Sequence, residues 1–228
     1  MPAVITDIQE LSPTACEVHL RLPEPLNFIP GAFVNTFLTV DGKKMRRAYS
    51  ISSSPSNQEE ISLSIRKGSP DGMSALFFDE SVKSLPLEIM GPLGRNTIDH
   101  IQHPKVFLFG FGIGASVVKG MLHGLLDDSR VQSVMVVTGS RTEEEILYKD
   151  FFGSVVEQDS RVQTRFVVSR PQDSDYPYSG YIQSHIADFD FKDASVYICG
   201  TGNMCEELRI QIENLTENPP QFLIEAFD

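Results

Sequence analysis

Glycines dominate the turn that follows the first apolar strand in the second half of the chain. The turn reads Gly110-Phe111-Gly112-Ile113-Gly114-Ala115-Ser116. A strand-to-helix turn of this kind offers backbone N–H groups and a helix N-terminus to a phosphate, and glycine lets the chain approach a pyrophosphate without an intervening Cβ. Its position in an alternating strand–helix pattern predicts a dinucleotide site. A tight turn with close helix packing and no ligand is the alternative.

A second candidate lies on a strand in the first half, where Arg47-Ala48-Tyr49-Ser50 follows the basic residues Lys43, Lys44 and Arg46. A guanidinium, an aromatic ring and a hydroxyl at these spacings suit a phosphate, a flat ring system and a polar ring edge. Further along, Gly72-Met73-Ser74 opens a predicted helix and is another candidate anion site. The alternatives are a solvated basic hairpin and an ordinary helical N-terminus.

Short runs of alternating apolar residues must position these groups in the first half. The predicted strands are Cys16 to Leu22, Phe33 to Val40, Arg47 to Ser52, Ile61 to Arg66 and Leu85 to Met90. Turn residues separate them, which predicts an antiparallel barrel or sandwich. Met73 to Glu80 is the segment of helical composition between them.

After His103 and Pro104, apolar strands alternate with amphipathic helical stretches. The predicted strands are Val106 to Phe109, Val134 to Thr138, Arg165 to Val168, Val196 to Cys199 and Phe222 to Ala226. The predicted helices are Ala115 to Leu126, Glu143 to Glu157, Ile182 to Asp188 and Met204 to Leu215. This pattern predicts a doubly wound, parallel, five-stranded α/β domain whose ligand lies outside the carboxyl ends of the strands. We therefore expect a β-barrel domain over residues 1–102 and an α/β domain over 103–228.

Charge and cysteine content narrow the class of protein. The 228 residues carry a net charge of -12, which repels nucleic-acid backbones and anionic lipid. The longest apolar run, Val106 to Val118, is too short to span a bilayer, so we expect neither nucleic-acid binding nor stable membrane insertion. Cys16, Cys199 and Cys205 form neither a disulfide framework nor an iron–sulfur ligand set. With no signal-peptide pattern in Met1 to Gln9, the sequence predicts a cytoplasmic protein.

The remaining polar groups predict no metal chemistry. The histidines lack paired metal-ligand spacing and are expected on the surface or in packing contacts; they are His19, His100, His103, His123 and His185. Glu143-Glu144-Glu145 is expected to form the exposed first turn of a helix, where acidic residues favour the helix dipole.

Taken in order, the motifs resemble those of the ferredoxin–NADP reductase family. They are Pro30-Gly31-Ala32-Phe33, Arg47-Ala48-Tyr49-Ser50, Ile65-Arg66-Lys67, Gly72-Met73-Ser74, Gly91-Pro92-Leu93-Gly94, the glycine turn, Cys199-Gly200 and Glu225-Ala226-Phe227. The resemblance depends on their common order and intervals over nearly the whole chain. It implies an FAD-binding barrel followed by an NADP-binding α/β domain.

For the first domain, the resemblance implies bound FAD. Arg47 would meet the pyrophosphate, Tyr49 would pack on the isoalloxazine, and Ser50 would approach the reactive ring nitrogen, with Ala48 between them. Two further sets match the family's FAD contacts: Ile65, Arg66 and Lys67 beside the adenine, and Gly72, Met73 and Ser74 at the pyrophosphate.

For the second domain, the resemblance implies a nicotinamide coenzyme. The residues under its pyrophosphate would be Gly112, Gly114 and Ser116. Ser169-Arg170 and Tyr181-Ile182-Gln183 are similar to elements that bind the adenosine 2′-phosphate, and Arg141 could assist. An NAD-specific domain would favour an acidic residue there, so the sequence favours NADP(H) and leaves NAD(H) open. Three residues depart from the family pattern and weaken this choice: Ile113, Val117 and Ser179.

The resemblance also places groups at the redox centre. Cys199-Gly200 matches the turn beside the nicotinamide, and Phe227 would cover the flavin face where the nicotinamide arrives. Glu225 stands where the family keeps a proton-handling carboxylate, and Ser50 is the other candidate for that role. A small buried thiol ending a strand, and a phenyl ring that only fills space, are the alternatives for Cys199 and Phe227.

The implied reaction passes hydride from NADPH to FAD and then single electrons to ferredoxin or flavodoxin, or the reverse. One alternative is an NADH-dependent reductase component of an oxygenase, or a free-flavin reductase. Another is a flavin-bearing electron-transfer subunit with no turnover of its own. An acidic carrier would meet the positive residues Lys43, Lys44, Arg46 and Arg47. The carrier's identity, the direction of electron flow and the oligomeric state stay open.

Overall fold

The computed structural model describes residues 1–227. The chain divides into two compact units, the first comprising Met1–Ile98 with Gly120–Gly124 and the second comprising Asp99–Lys119 with the chain from Leu125 onward. The domain boundary between residues 102 and 103 stays a prediction. No helix within the described residues is both long enough and apolar enough to cross a membrane.

The first unit is a six-stranded antiparallel barrel. Its strands are β1 (Pro2–Ser12), β2 (Ala15–Arg21), β3 (Phe33–Val40), β4 (Lys43–Ser50), β5 (Glu60–Arg66) and β6 (Leu87–Leu93). They pair in the order β4-β3-β6-β1-β2-β5, and a bridge between Ile51 and Leu63 joins the two edges of this sheet. The short helix α1 (Met73–Leu76) and a 3-10 turn over Glu80–Ser84 connect β5 to β6.

Alternate residues of these strands fill the barrel interior. Each of the following is at most 1% exposed: Val18, Leu20, Val34, Leu38, Leu63 and Ile65. The sequence prediction missed β1, because only Ala3 and Ile5 show the alternation clearly before Asp7, Gln9 and Glu10 interrupt it. The helix predicted over Met73 to Glu80 is shorter, since Asp79 instead accepts a hydrogen bond from the Ser81 amide and opens the 3-10 turn.

The second unit is a doubly wound parallel sheet. Its strands are β7 (Lys105–Phe111), β8 (Ser133–Ser140), β9 (Val162–Val168), β10 (Ala194–Gly200) and β11 (Gln221–Ala226), and its helices are α2 (Gly114–Asp127), α3 (Lys149–Gln158) and α4 (Gly202–Leu215). The strands pair in the order β11-β10-β7-β8-β9, all parallel. The predicted fold class, an antiparallel barrel followed by a five-stranded parallel α/β domain, is therefore confirmed.

Two of the helix predictions for this unit are wrong. The segment Glu143 to Glu157 is not one helix, because Tyr148 adopts a left-handed conformation with φ +58° and separates a 3-10 turn over Glu143–Glu145 from α3. The segment Ile182 to Asp188 forms only a 3-10 turn over Ile182–His185.

Candidate functional site

Strand β4 lies at an edge of the barrel sheet and presents the first motif. Arg47 is exposed, and its Nη1 donates to the carbonyl of Arg46 at 3.0 Å. Tyr49 is half-buried, with its ring packed edge-on against Phe77. Burial raises the pKa of Tyr49, and its hydroxyl donates to Ser74 Oγ at 3.3 Å. The fold therefore brings together two of the motifs predicted to bind FAD.

The other residues predicted beside the adenine differ in exposure. The Ile65 side chain is fully buried in the barrel, whereas Arg66 and Lys67 are exposed. The Lys67 amide donates to the carbonyl of Thr14 at 2.9 Å, and its ammonium lies 5.2 Å from the centroid of the Phe78 ring. Of these three residues, Arg66 and Lys67 have side chains that a ligand on the surface can reach.

The glycine turn is required by packing within the second unit. A Cβ on Gly114 would lie 2.3 Å from the carbonyl oxygen of Cys199, and a Cβ on Gly110 would lie 2.8 Å from the amide nitrogen of Ala115. Gly112 has φ +54°, which disfavours residues with a Cβ. These contacts support the close-packing interpretation of the turn, and they seat the start of α2 against the carboxyl end of β10.

Ser116 has a partner within its own helix turn. It is 3% exposed, and both its hydroxyl and its amide donate to the carbonyl of Ile113, at 2.8 and 3.0 Å. A phosphate contact by the Ser116 hydroxyl stays a prediction. It would require the hydroxyl to give up its hydrogen bond to Ile113 and donate to the phosphate instead.

The carboxyl ends of β10 and β11 bring together the groups predicted for the redox centre. Cys199 and Glu225 are register partners, and the Phe227 amide donates to the carbonyl of Gly200 at 2.9 Å. Burial raises the pKa of Cys199 well above its ordinary value, and the Glu225 charge raises it further. The Cys199 thiol is therefore neutral at pH 7, which is not the state of a nucleophile.

Sequence reasoning missed one residue of this cluster. Tyr197 is fully buried, and its hydroxyl donates to Glu225 Oε2 at 2.7 Å. The available signal is its spacing, because residues two apart on a strand share a face of the sheet, so Tyr197 lies on the same face as Cys199.

Two backbone hydrogen bonds join the residues at and just beyond the carboxyl ends of β8 and β9. The amide of Ser169 donates to the carbonyl of Ser140 at 3.0 Å, and the amide of Arg170 donates to that of Arg141 at 2.8 Å. Arg141 and Arg170 therefore lie side by side at the carboxyl edge of the sheet, and both are exposed.

Two other predicted coenzyme residues lie in the turn that follows. Tyr181 is 64% exposed, so its ring face is accessible for stacking. Gln183 donates to Glu207 Oε2 at 3.5 Å, and within the described residues its Oε1 is buried with no hydrogen-bond partner. The contact of these two residues with a coenzyme stays a prediction.

Glu143 holds the loop between Arg170 and Tyr181. Its Oε1 accepts hydrogen bonds from the amides of Gln172 and Asp173, at 2.9 and 3.3 Å. Hydrogen bonds from its own amide and from the amides of this loop hold its pKa below the ordinary value. The three glutamates do form a short helical turn, but Glu143 is half-buried and bound to this loop, not exposed as the sequence led us to expect.

Two family models match most of the chain. Residues 2–98 match the oxidoreductase FAD-binding domain, and residues 108–209 match the oxidoreductase NAD-binding domain. The first covers the barrel strands, and the second covers the glycine turn and the sheet as far as α4.

Curated relatives match over both domains. The chain is 25% identical over 205 residues to a phenol hydroxylase P5 protein of Acinetobacter pittii, a match covering 87% of the chain and 57% of the relative. It is 25% identical over 217 residues to ferredoxin–NADP reductase B of Sorangium cellulosum, covering 91% and 88%. The chain thus spans little more than half of the first relative and most of the second.

Solved structures share the fold. The Amycolatopsis cytochrome P450 reductase GcoB has a TM-score of 0.87 at 23% identity, covering 99% of this chain and 69% of that one. A ferredoxin NADP+ reductase from Neisseria gonorrhoeae with bound FAD and NADP has a TM-score of 0.80 at 16% identity, covering 99% and 96%.

Proposed function

The chain belongs to the ferredoxin–NADP reductase family of flavoprotein oxidoreductases, and we propose that it passes hydride from NADPH to FAD and then single electrons to a small carrier protein. The observation that carries the proposal is the presence of the family's FAD-binding and NAD-binding domains in one chain. The reverse direction of electron flow uses the same groups.

The donor set of the first unit fits FAD. An exposed guanidinium on β4 suits the pyrophosphate, the half-buried Tyr49 ring suits a flat ring system, and the Ser50 hydroxyl suits a polar ring edge. The hydrogen bond between Tyr49 and Ser74 links β4 to the start of α1, where the second pyrophosphate contact is proposed. When bound, FAD supplies the conversion between a two-electron hydride and single electrons.

The groups of the second unit have separate proposed roles. Gly112 and Gly114 let the coenzyme pyrophosphate approach the backbone, and Cys199 lies beside the nicotinamide as a neutral side chain. Phe227 would cover the flavin face until the nicotinamide arrives, and the Glu225 carboxylate would take up the proton released when the flavin gives up its electrons. The exposed guanidinium groups of Arg141 and Arg170 support a 2′-phosphate contact and hence NADPH.

Anaerobic stopped-flow mixing with NADPH and NADH tests this function. Bleaching of the flavin by NADPH at least ten times faster than by NADH is the expected result. Equally slow bleaching by both coenzymes would remove the coenzyme assignment. A clear preference for NADH would instead favour a reductase component of an oxygenase, as the phenol 2-monooxygenase reductase component of a Pseudomonas species is named. No bleaching by either would favour an electron-transfer subunit without turnover of its own.

Replacement of Arg47 by alanine is expected to weaken FAD binding. The variant loses a charge-assisted contact with the pyrophosphate, so we expect the dissociation constant for FAD to rise about tenfold. Reconstitution of the apoprotein, followed by flavin absorbance, measures it. Arg21→Ala is the matched control, because Arg21 is also an exposed arginine of the barrel. Its Nε lies 3.6 Å from Glu60 Oε1, and no FAD contact is proposed for it. FAD affinity that is the same in Arg47→Ala as in the native protein would argue against this role.

We propose that the carrier docks on the basic face of β4. Residues 1–98 contain nine Lys and Arg against eleven Asp and Glu, whereas the rest of the chain contains ten against twenty. The barrel therefore repels an acidic carrier least. The Lys44 ammonium is paired with Glu88 and lies 4.9 Å from the centroid of the Phe37 ring, and Arg47 is assigned to the FAD pyrophosphate. The exposed residues Lys43 and Arg46 therefore contribute most of the positive potential.

The double variant Lys43→Glu with Arg46→Glu is expected to slow electron transfer to an acidic ferredoxin about tenfold at low salt. The difference should shrink as salt screens the charges, while flavin reduction by NADPH stays unchanged. Lys192→Glu, on an exposed loop of the second unit, is the control. An unaltered rate and salt dependence of ferredoxin reduction in the double variant would reject this docking face.

We also propose a reducing, cytoplasmic location. The support is that all three cysteines are free and buried as thiols.

A further inference from the structure

The hydroxyl of Tyr197, in the second unit, donates a hydrogen bond to Glu225, and the proposed function assigns this contact no role. Tyr197 lies on β10 opposite Leu223 of β11. Two residues further toward the carboxyl end, on the same face of the sheet, Cys199 lies opposite Glu225. The phenol reaches diagonally along the sheet, as aromatic side chains can, and donates to Glu225 Oε2 at 2.7 Å.

A buried phenol needs a hydrogen-bond partner. Another buried hydroxyl on the same strand has a neutral acceptor instead of a carboxylate. Ser195, two residues before Tyr197, donates to Gln221 Oε1 at 2.6 Å, and Gln221 donates in turn to the carbonyl of His100. That neutral pair joins strand ends at the edge of the sheet opposite the proposed ligand site. The Tyr197 bond differs because its acceptor is a carboxylate at the carboxyl end of the sheet, where ligands of this fold bind.

We propose that Tyr197 is a positioning residue for Glu225, holding Oε2 in place and stabilising the ionised carboxylate, which takes up the proton released when the flavin gives up its electrons. The inference rests on the proposed function, in which Glu225 handles that proton. A hydrogen bond to an ionised acceptor is stronger than one between neutral groups, and it fixes a side chain that would otherwise sample several rotamers.

The groups around Glu225 support a fixed donor. Burial raises the pKa of Tyr197 well above its ordinary value, and the charge of Glu225 raises it further, so the phenol keeps its proton throughout the working pH range. Cys199 on β10 and Cys205 on α4 also sense the Glu225 charge, and burial raises the pKa of Cys205 to about 11. Both thiols are therefore neutral at pH 7, and among these three groups Tyr197 is the strong hydrogen-bond donor.

Tyr197→Phe removes the hydroxyl and keeps the ring. Carbon-13 NMR of glutamate carboxyl groups follows the titration of Glu225, because the signal lost in Glu225→Gln identifies it. We expect the inflection of this signal to move upward by about one pH unit in Tyr197→Phe, since the ionised form loses a charge-assisted donor. Tyr176→Phe is the matched control, because the hydroxyl of Tyr176 donates to the backbone carbonyl of Phe166, and it should leave the inflection in place.

Stopped-flow reoxidation of the NADPH-reduced flavin by ferredoxin is the second measurement. We expect Tyr197→Phe to lower the limiting rate constant of reoxidation about fivefold while flavin reduction by NADPH stays unchanged, and to shift the pH profile of reoxidation in the same direction as the NMR inflection. In the Glu225→Gln background, Tyr197→Phe should change the rate less than twofold, since the acceptor charge is already gone.

An NMR inflection that does not move in Tyr197→Phe overturns the inference, and so does a moved inflection with unchanged rate and pH profile. Equal losses of rate in the native and Glu225→Gln backgrounds also overturn it, because they indicate a general effect of Tyr197 on folding. If the native protein is not reduced by either coenzyme, the proposed function fails, whereas the NMR comparison still decides whether Tyr197 governs Glu225.

Discussion

Gly114→Ala is expected to destabilise the protein by about 2–3 kcal/mol and to lower the efficiency of NADPH oxidation about 100-fold. The added Cβ would lie 2.3 Å from the carbonyl oxygen of Cys199 and 2.9 Å from its carbonyl carbon. Both atoms belong to the backbone of a fully buried strand, so relief requires α2 or β10 to shift, which costs free energy as overpacking does. The same shift displaces two proposed coenzyme contacts, and misplacement by about 1 Å can cost a factor of 100 in rate.

Denaturant unfolding monitored by circular dichroism measures the stability, and steady-state kinetics measures the efficiency. Gly153→Ala is the matched control, because Gly153 lies within α3 with nothing within 4 Å of an added Cβ. That control should gain up to about 1 kcal/mol from the higher helix propensity of alanine. A Gly114→Ala variant as stable and as active as the native protein would contradict the packing described for the turn.

The glycine turn illustrates how far the sequence predicts this site. Its position after an apolar strand identified a strand-to-helix turn, and the apolar runs identified every strand of the parallel sheet, because β10, for example, is buried on both faces and reads as a continuous apolar segment. Close helix packing at this turn was one of the two interpretations of the sequence, but the atom against which Gly114 packs was not predictable. Its neighbour is a backbone oxygen on a strand distant in sequence, and a contact with a backbone atom leaves no trace in side-chain types.

Glu143 and Tyr197 were misjudged or missed for related reasons. Three consecutive glutamates resemble a solvated helical turn, whereas Glu143 is bound to the backbone amides of Gln172 and Asp173. Tyr197 reads as one more apolar residue of a buried strand, and only the register between β10 and β11 brings its hydroxyl to Glu225. The hydrogen-bond partners of both residues come from segments that the fold brings together, and a local sequence pattern carries no information about them.

Replacement of both Arg141 and Arg170 by alanine is expected to reverse the coenzyme preference. The backbone bond between these residues brings Arg141 and Arg170 next to each other at the carboxyl edge of the sheet, and both are exposed. A phosphate dianion between them gains charge-assisted hydrogen bonds of about 1.5–3 kcal/mol each, so we expect the efficiency with NADPH to fall 100-fold or more. NADH lacks the 2′-phosphate, so its efficiency should change less than threefold.

The comparison of the two coenzymes within one variant separates recognition from damage to the fold. A loosened loop lowers the efficiency with NADPH and NADH together, whereas loss of a phosphate contact lowers it with NADPH alone. Arg130→Ala is the matched control, because this exposed arginine is held by Asp128 on another loop of the same unit and should alter neither efficiency. If the efficiency of the double variant falls equally with both coenzymes, the two arginines support the loop and the 2′-phosphate is bound elsewhere. If the variant keeps the native preference for NADPH, the Arg141–Arg170 pair has no part in coenzyme choice, and discrimination must come from the segment around Tyr181.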